Sequence, residues 1–105
     1  MTDKILVLTT AGSEEEAKKI ARGLIERQLA ACVNIVPRVS SIYRWQGKVE
    51  NAAETIAFLK TTTTRLPDLQ AKLRASHPYD VPEIICLRIA DGLPEYLQWV
   101  RECCL

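Results

Sequence analysis

The chain has few of the residues from which ion and nucleotide sites are usually built. Its 105 residues include one histidine, one phenylalanine and four scattered glycines. A metal centre made of several imidazoles from one chain is therefore excluded, and so is a glycine-rich phosphate loop. The sequence also lacks a G-x-S-x-G motif, so it carries no sign of a serine nucleophile.

The chain has no excess of either charge and no long apolar run. Lys and Arg total 14 against 13 Asp and Glu, so no overall field would attract nucleic acid or an anionic membrane. No apolar run approaches the roughly 18 residues of a membrane span. The start of the chain, MTDKILVLTTAG, is a poor signal peptide because an acidic residue precedes its only lysine. These absences predict a cytoplasmic protein with neither a nucleic-acid nor a membrane partner.

Composition is ordinary for a globular protein, with 48% hydrophobic and 26% charged residues, and predicts a single domain over residues 1–105. The four cysteines form no C-x-x-C metal or redox motif. Cys32 and Cys86 lie in apolar runs and are expected to act as small core side chains. The Cys103–Cys104 pair near the C-terminus is expected to lie in a frayed tail with exposed thiols.

Hydrophobic periodicity predicts four strands and three helices. The predicted elements are strand 4–10, helix 14–30, strands 32–45 and 48–62, helix 66–75, strand 83–89 and a short helix that begins at Pro94. This β-α-β-β-α-β order with a trailing helix is that of an α+β, ferredoxin-like fold.

Local motifs mark the boundaries of these elements. Ser13 and Glu16 form a capping box at the start of the first helix. Pro37 predicts an edge, a bend or a bulge in its strand. Gln46-Gly47 predicts the turn of a long hairpin.

The strands are apolar on both faces. In the first strand Ile5 and Val7 point one way, while Leu6 and Leu8 point the other. An antiparallel sheet with one face in water would alternate apolar and polar residues, so a second layer must cover the second face. Oligomerisation is one solution, and a third helix folded beneath the sheet is the other.

The stretch SHPYDVPEI holds the only histidine, His77. Pro78 and Pro82 stiffen the loop, and Asp80 and Glu83 are close enough in sequence to share a site with the imidazole. One imidazole with one or two carboxylates is a weak metal signal unless distant residues or another subunit complete it. The alternative is that His77 ends the second helix.

The hairpin tip concentrates unusual side chains. Tyr43 and Trp45 fall on one face, with Arg44 and Lys48 nearby. Exposed aromatic residues at such a tip indicate either a surface that contacts a protein partner or simple cross-strand packing. The central strands lack the aromatic residues of an RNA-recognition motif, because Phe58 is the only one there.

Five blocks occur in the order and spacing of a known family. They are LAACVNIVP (29–37), SIYRWQGKVE (41–50), FLKTT (58–62), SHPYDVPEI (76–84) and YLQWV (96–100). Together they resemble the CutA family, the divalent-cation tolerance proteins, over essentially the whole chain. The resemblance implies a ferredoxin-like fold in a PII-like homotrimer, a cytoplasmic location, a link to copper and other divalent cations, and no catalytic reaction.

The resemblance also implies where a metal would bind. Family members proposed to bind copper use a cysteine that ends the first strand and two adjacent histidines before Pro-Tyr. Here Thr9 and Ser76 occupy two of those positions, and only His77 remains. A weakly held copper or zinc ion is therefore expected at His77, with Asp80 or Glu83 as an oxygen donor or as a partner that orients the ligand.

A pocket between subunits is the other site that the resemblance implies. Its expected residues are Cys32, Trp45, Lys60, Glu83 and Tyr96, and it would hold a divalent cation or a small ligand. An enzyme would require His77 to act as a general base beside Tyr79 or Glu83, and no substrate is indicated.

Overall fold

The computed structural model describes residues 2–105, so the expected domain limit at residue 1 lies outside the described part. The elements are β1 Lys4–Ala11, α1 Glu14–Glu26, β2 Cys32–Trp45, β3 Lys48–Thr62, α2 Leu66–Ser76, β4 Ile84–Arg88 and α3 Pro94–Cys103. The strands form one antiparallel sheet in the order β2-β3-β1-β4. The α+β, ferredoxin-like fold predicted from the sequence is confirmed.

One face of the sheet carries the core beneath α1 and α2. Alternate residues of β1 are buried there, because successive strand residues point to opposite faces. The buried cluster joins β1, β3, the two helices and the segment that follows α1, and consists of Ile5, Val7, Leu24, Leu29, Ala30, Ala57, Leu59, Leu69 and Leu73.

The first helix begins as predicted but ends earlier than expected. The Ser13 hydroxyl accepts the Glu16 N–H at 3.1 Å and caps the N-terminus. The helix ends at Glu26 rather than near residue 30, because Gln28 adopts a left-handed conformation with φ of 58°. This turn places Leu29 in the core, with its N–H bonded to Leu24 O at 3.0 Å. Tertiary burial therefore overrides the helical periodicity of residues 27–30.

Both features predicted for the long hairpin are confirmed. The β2–β3 register shifts between Val36 and Val39, so a bulge interrupts the edge strand next to Pro37, and Arg38 has a φ of 58°. Gln46 and Gly47 both have positive φ, at 51° and 81°, as a two-residue type I′ turn requires.

Beyond the bulge the hairpin leaves the body of the sheet. β1 pairs with β3 only over residues 55–62, so residues 39–54 form a two-stranded ribbon. The molecule is 44 Å along its longest axis and 25 Å along the next.

The second face of the sheet is apolar and incompletely covered. Leu6 and Leu8 lie there opposite Leu87 and Ile85 of β4. Ile85 and Leu87 are each 50% exposed, although α3 contacts β1 and β3. The third helix therefore does not cover this face within one protomer.

The C-terminal cysteines lie differently from expectation. α3 extends through Cys103, and Cys104 packs against Ala31 and Val100 with only 5% of its surface exposed. The prediction of a frayed tail is therefore wrong. Burial raises the pKa of the Cys104 thiol. The expectation that Cys86 is a core side chain is also wrong: it is exposed, because β4 is an edge strand.

Candidate ligand cleft

His77 is a buried residue whose two ring nitrogens are both hydrogen-bonded to backbone. It follows α2 as the C-cap, in agreement with the alternative that it ends this helix. Nε2 lies 2.6 Å from Thr10 O, and Nδ1 lies 3.2 Å from the Tyr79 amide nitrogen. A carbonyl can only accept and an amide N–H can only donate, so Nε2 carries the proton and the ring is neutral.

This geometry restricts His77 as a metal ligand. Neither ring nitrogen offers a free lone pair, so a metal would have to displace the Tyr79 amide from Nδ1. Thr9 lies on the helix-covered face of the sheet, where its side chain is buried, while Ser76 is exposed. Within residues 2–105 no group of three or more His, Cys, Asp or Glu residues is placed to hold a metal.

Tyr79 connects the histidine loop to the hairpin. Its ring packs edge-on against His77 with centroids 4.6 Å apart, and its hydroxyl donates to Glu54 Oε2 at 2.8 Å. Burial raises the pKa of Tyr79, and the hydrogen bond to Glu54 and the negative charge of that carboxylate act in the same direction. The phenol therefore stays protonated and remains a donor to Glu54.

A cleft of about 650 Å³ lies between the ribbon and the 78–83 loop. Its walls combine three aromatic rings, three carboxylates and a few apolar and hydroxyl side chains. The lining residues are Thr10, Ser41, Ile42, Tyr43, Trp45, Glu54, Pro78, Tyr79, Asp80, Val81 and Glu83. None of these lining residues, all within the described chain, is basic.

The cleft gathers some of the residues singled out from the sequence. Asp80 and Glu83 line one wall and Tyr43 and Trp45 another, whereas His77 lies behind Tyr79 and is not a lining residue. The hairpin aromatics are therefore part of a concave site rather than an isolated surface patch.

The remaining residues of the expected inter-subunit pocket lie elsewhere in the protomer. Cys32 pairs with Lys60 across β2 and β3, with Lys60 Nζ 4.0 Å from Cys32 Sγ and bonded to Asn34 Oδ1. Tyr96 packs on Trp99 of α3, with ring centroids 5.5 Å apart. A single protomer therefore does not assemble this set.

Glu54 was not predicted from the sequence as a site residue. The whole residue is only 9% exposed although it lines the cleft. The available signal was an acidic residue in β3 immediately before the apolar run TIAFL. The contact that marks Glu54 is the hydrogen bond from the Tyr79 hydroxyl, which is 25 positions away in sequence.

No helix within residues 2–105 has the length and hydropathy required to cross a membrane.

Comparison with known proteins identifies the family. The family described as "CutA1 divalent ion tolerance protein" matches residues 5–103. The "Divalent-cation tolerance protein CutA" of Thermus thermophilus is 55% identical over 97 residues, which are 92% of this chain and 94% of that protein. Human "Protein CutA" is 45% identical over 93 residues, which are 89% of this chain and 52% of the human protein. The chain thus spans about half the length of that relative.

Solved structures agree with the sequence comparison. The Thermus thermophilus protein superposes with a TM-score of 0.92 at 54% identity, covering 94% of this chain and 96% of that one. A structure from Archaeoglobus fulgidus, described as a periplasmic divalent cation tolerance protein CutA, gives 0.94 at 38% identity, covering 97% and 99%. With a match over nearly the whole chain and the same fold, this chain belongs to the CutA1 family of divalent ion tolerance proteins.

Proposed function

We propose that this chain is a cytoplasmic, homotrimeric protein of divalent-cation tolerance or signalling. In this proposal it binds a divalent cation such as copper or zinc, or a small ligand, in a cleft between subunits, and it catalyses no reaction. The observation that carries the proposal is a cleft beside an apolar sheet face that one protomer leaves half uncovered.

The uncovered face supports assembly with further copies of the chain. Ile85 and Leu87 would each gain from burial, at about 25 cal/mol for every Å² of apolar surface removed from water. The ribbon adds Ile42 and Val49, which are 72% and 68% exposed on the side opposite Tyr43. A two-stranded ribbon is marginally stable in water by itself, so a covering surface is expected.

The two surfaces also favour a ring. A projecting ribbon and an open sheet face are different surfaces, so contact between them is head-to-tail and closes as a ring when the rotation permits. The family resemblance supports three subunits in that ring.

A neighbouring copy would also complete the expected pocket. Cys32 and Trp45 lie at opposite ends of β2, roughly 40 Å apart at about 3.3 Å per residue. Only the ribbon of another subunit can therefore bring a Trp45 side chain to Cys32, Lys60 and Tyr96.

His77 enters the proposal as the metal contact. It would bind through Nδ1 after release of the Tyr79 amide, with Asp80 or Glu83 supplying an oxygen. Because a backbone hydrogen bond must break, we expect binding to be weak. The same hydrogen bonds support the absence of catalysis, since Nδ1 cannot accept a substrate proton while it accepts the amide.

Calorimetry with Cu²⁺ and Zn²⁺ tests the metal contact. The wild-type protein is expected to give binding heats that His77→Ala loses, while Glu95→Gln, a change at an exposed carboxylate of α3, retains them. Circular dichroism must show that His77→Ala remains folded at the titration temperature. Equal heats for the wild-type and His77→Ala proteins would remove His77 from the site.

An interaction module is the second candidate. Tyr43 and Trp45 remain partly exposed in the protomer, so the trimer would present three such hairpins to a protein partner. In that case replacing both aromatics with alanine abolishes capture of the partner and leaves the metal heats intact. Loss of the metal heats in this variant would favour the ligand cleft instead.

A further inference from the structure

The cleft carries negative charge that the described residues do not neutralise. Glu54, Asp80 and Glu83 all line it. None of the three forms an ion pair within residues 2–105, where the salt bridges join Lys4–Asp3, Lys18–Glu14 and Arg65–Asp68. Arg44 lies on the other side of the ribbon and donates to Gly47 O at 3.5 Å. Lys48, the cross-strand partner of Trp45, lies on the cleft side of the ribbon, but it is not a lining residue and forms none of these salt bridges.

Glu54 is the least accessible of these carboxylates. It is 9% exposed, and the only hydrogen bond it accepts within the described chain comes from the Tyr79 hydroxyl. A carboxylate offers about four acceptor positions, so most of its capacity is unused. A buried charge is costly unless it is paired, and a cation that enters the cleft would supply the missing partner.

The remaining walls are suited to an organic cation. Tyr43, Trp45 and Tyr79 provide ring faces, which attract ammonium groups when the cation lies within about 6 Å of the ring centre. Pro78 and Val81 add aliphatic surface. The cleft volume of about 650 Å³ is in the usual range of small-molecule sites, roughly 300–1,000 Å³, and is far larger than a bare metal ion needs.

We propose that this cleft binds an organic ammonium ion of the aliphatic di- or polyamine class. Glu54 pairs with one ammonium group at the base of the cleft, and the exposed Asp80 and Glu83 pair with a second group nearer its mouth. Tyr43 and Trp45 pack against the methylene chain and the ammonium. This inference rests on the proposed function, in which the cleft of each protomer forms one part of the small-ligand site between subunits, and it names the class of that ligand.

Calorimetry of the full chain with 1,6-diaminohexane tests the inference, and 1,6-hexanediol serves as the uncharged ligand of similar length. The diamine is expected to bind and the diol to give no binding heat. Glu54→Gln keeps an acceptor for Tyr79 but removes the charge, and should weaken diamine binding by about 10- to 100-fold, the equivalent of a charged hydrogen bond. Glu95→Gln, an exposed carboxylate outside the cleft, should leave binding unchanged.

Trp45→Leu provides a second variant at the hairpin tip, where Trp45 is 42% exposed in the protomer and the risk to its fold is small. Light scattering must show that this variant keeps the assembly of the wild-type protein, because Trp45 also lies in the proposed pocket between subunits. It keeps apolar bulk but removes the indole face, and should weaken diamine binding about threefold or more. The inference is therefore testable even when Glu54→Gln fails to fold. Binding of the diamine that neither variant weakens would overturn it.

Two other outcomes separate this inference from the proposed function. If Cu²⁺ or Zn²⁺ binds and the diamine does not, the organic-cation inference fails and the metal proposal stands. If Glu54→Gln loses the assembly that light scattering detects for the wild-type protein, a basic side chain of a neighbouring copy occupies the cleft, and the inference is overturned.

Discussion

Thr9→Val is predicted to stabilise the protein. The Thr9 hydroxyl is buried between β1 and α1, and its Oγ1 is a buried side-chain atom without a hydrogen-bond partner within residues 2–105. The adjacent void is about 10 Å³, and the other residues that line it are apolar. A water needs roughly 10–15 Å³ and two to four polar partners, so this void does not suit one.

The expected magnitude follows from that unpaired hydroxyl. An unsatisfied buried polar group costs about 1–3 kcal/mol, and valine has nearly the shape of threonine without the hydroxyl. We expect the free energy of unfolding to rise by about 1–2 kcal/mol. For a chain of this size that corresponds to a gain of roughly 5–15 °C in Tm, at about 4–8 °C per kcal/mol.

Thr61→Val is the matched control and should change stability in the opposite direction. The Thr61 hydroxyl is also buried, but it donates to Leu29 O at 2.7 Å. Its removal should lower the free energy of unfolding by about 1 kcal/mol. Both variants are compared with the wild-type protein by thermal and denaturant unfolding at one protein concentration, because assembly makes Tm depend on concentration. A loss of stability in Thr9→Val similar to that in Thr61→Val would show that the Thr9 hydroxyl is not an unpaired buried group.

Three further changes are expected to alter stability. His77→Ala should lower the free energy of unfolding by about 2–4 kcal/mol because it orphans Thr10 O and an amide N–H; denaturant unfolding within 1 kcal/mol of wild type would contradict this. Burial raises the pKa of the Cys104 thiol, so the folded state loses stability relative to the unfolded state as the pH rises above about 8.5, the ordinary thiol pKa. Cys104→Ala should therefore flatten the decline in the free energy of unfolding, measured in urea, from about pH 7.5 to 9.5. An unchanged slope would contradict this role of Cys104. Gly47→Ala, at a φ of 81°, should lower the free energy of unfolding by about 1 kcal/mol. Gly23→Ala inside α1, where an added Cβ meets no other atom, should raise it by about 0.5–1 kcal/mol. Equal Tm shifts in the two variants would contradict both expectations.

The parts of the fold that depend on short-range patterns could be predicted from the sequence. Pro37 has no backbone N–H to donate, which favours the bulge, and Gly47 readily adopts the positive φ that the turn requires. Both features occur as expected. The end of α1 depends instead on the burial of Leu29 in a core that distant strands form. Cys104 likewise contacts Thr61, 43 residues earlier, and no local pattern reveals that contact.

The candidate site was predictable only in part for the same reason. Asp80 and Glu83 were singled out because they lie close in sequence to the only histidine, and the structure places both in one cleft with Trp45. Glu54 depends on a contact across 25 residues and was missed. The hydrogen bond that fixes the tautomer of His77 spans 67 residues, so the sequence could not show that this imidazole is already engaged.

Light scattering of the wild-type protein at low micromolar concentration tests whether the chain assembles, as the proposed cleft between subunits requires. A trimer would scatter as a particle of about 35 kDa, three times the mass of the 11.8 kDa chain. A stable monomer of 11.8 kDa would contradict the proposed assembly.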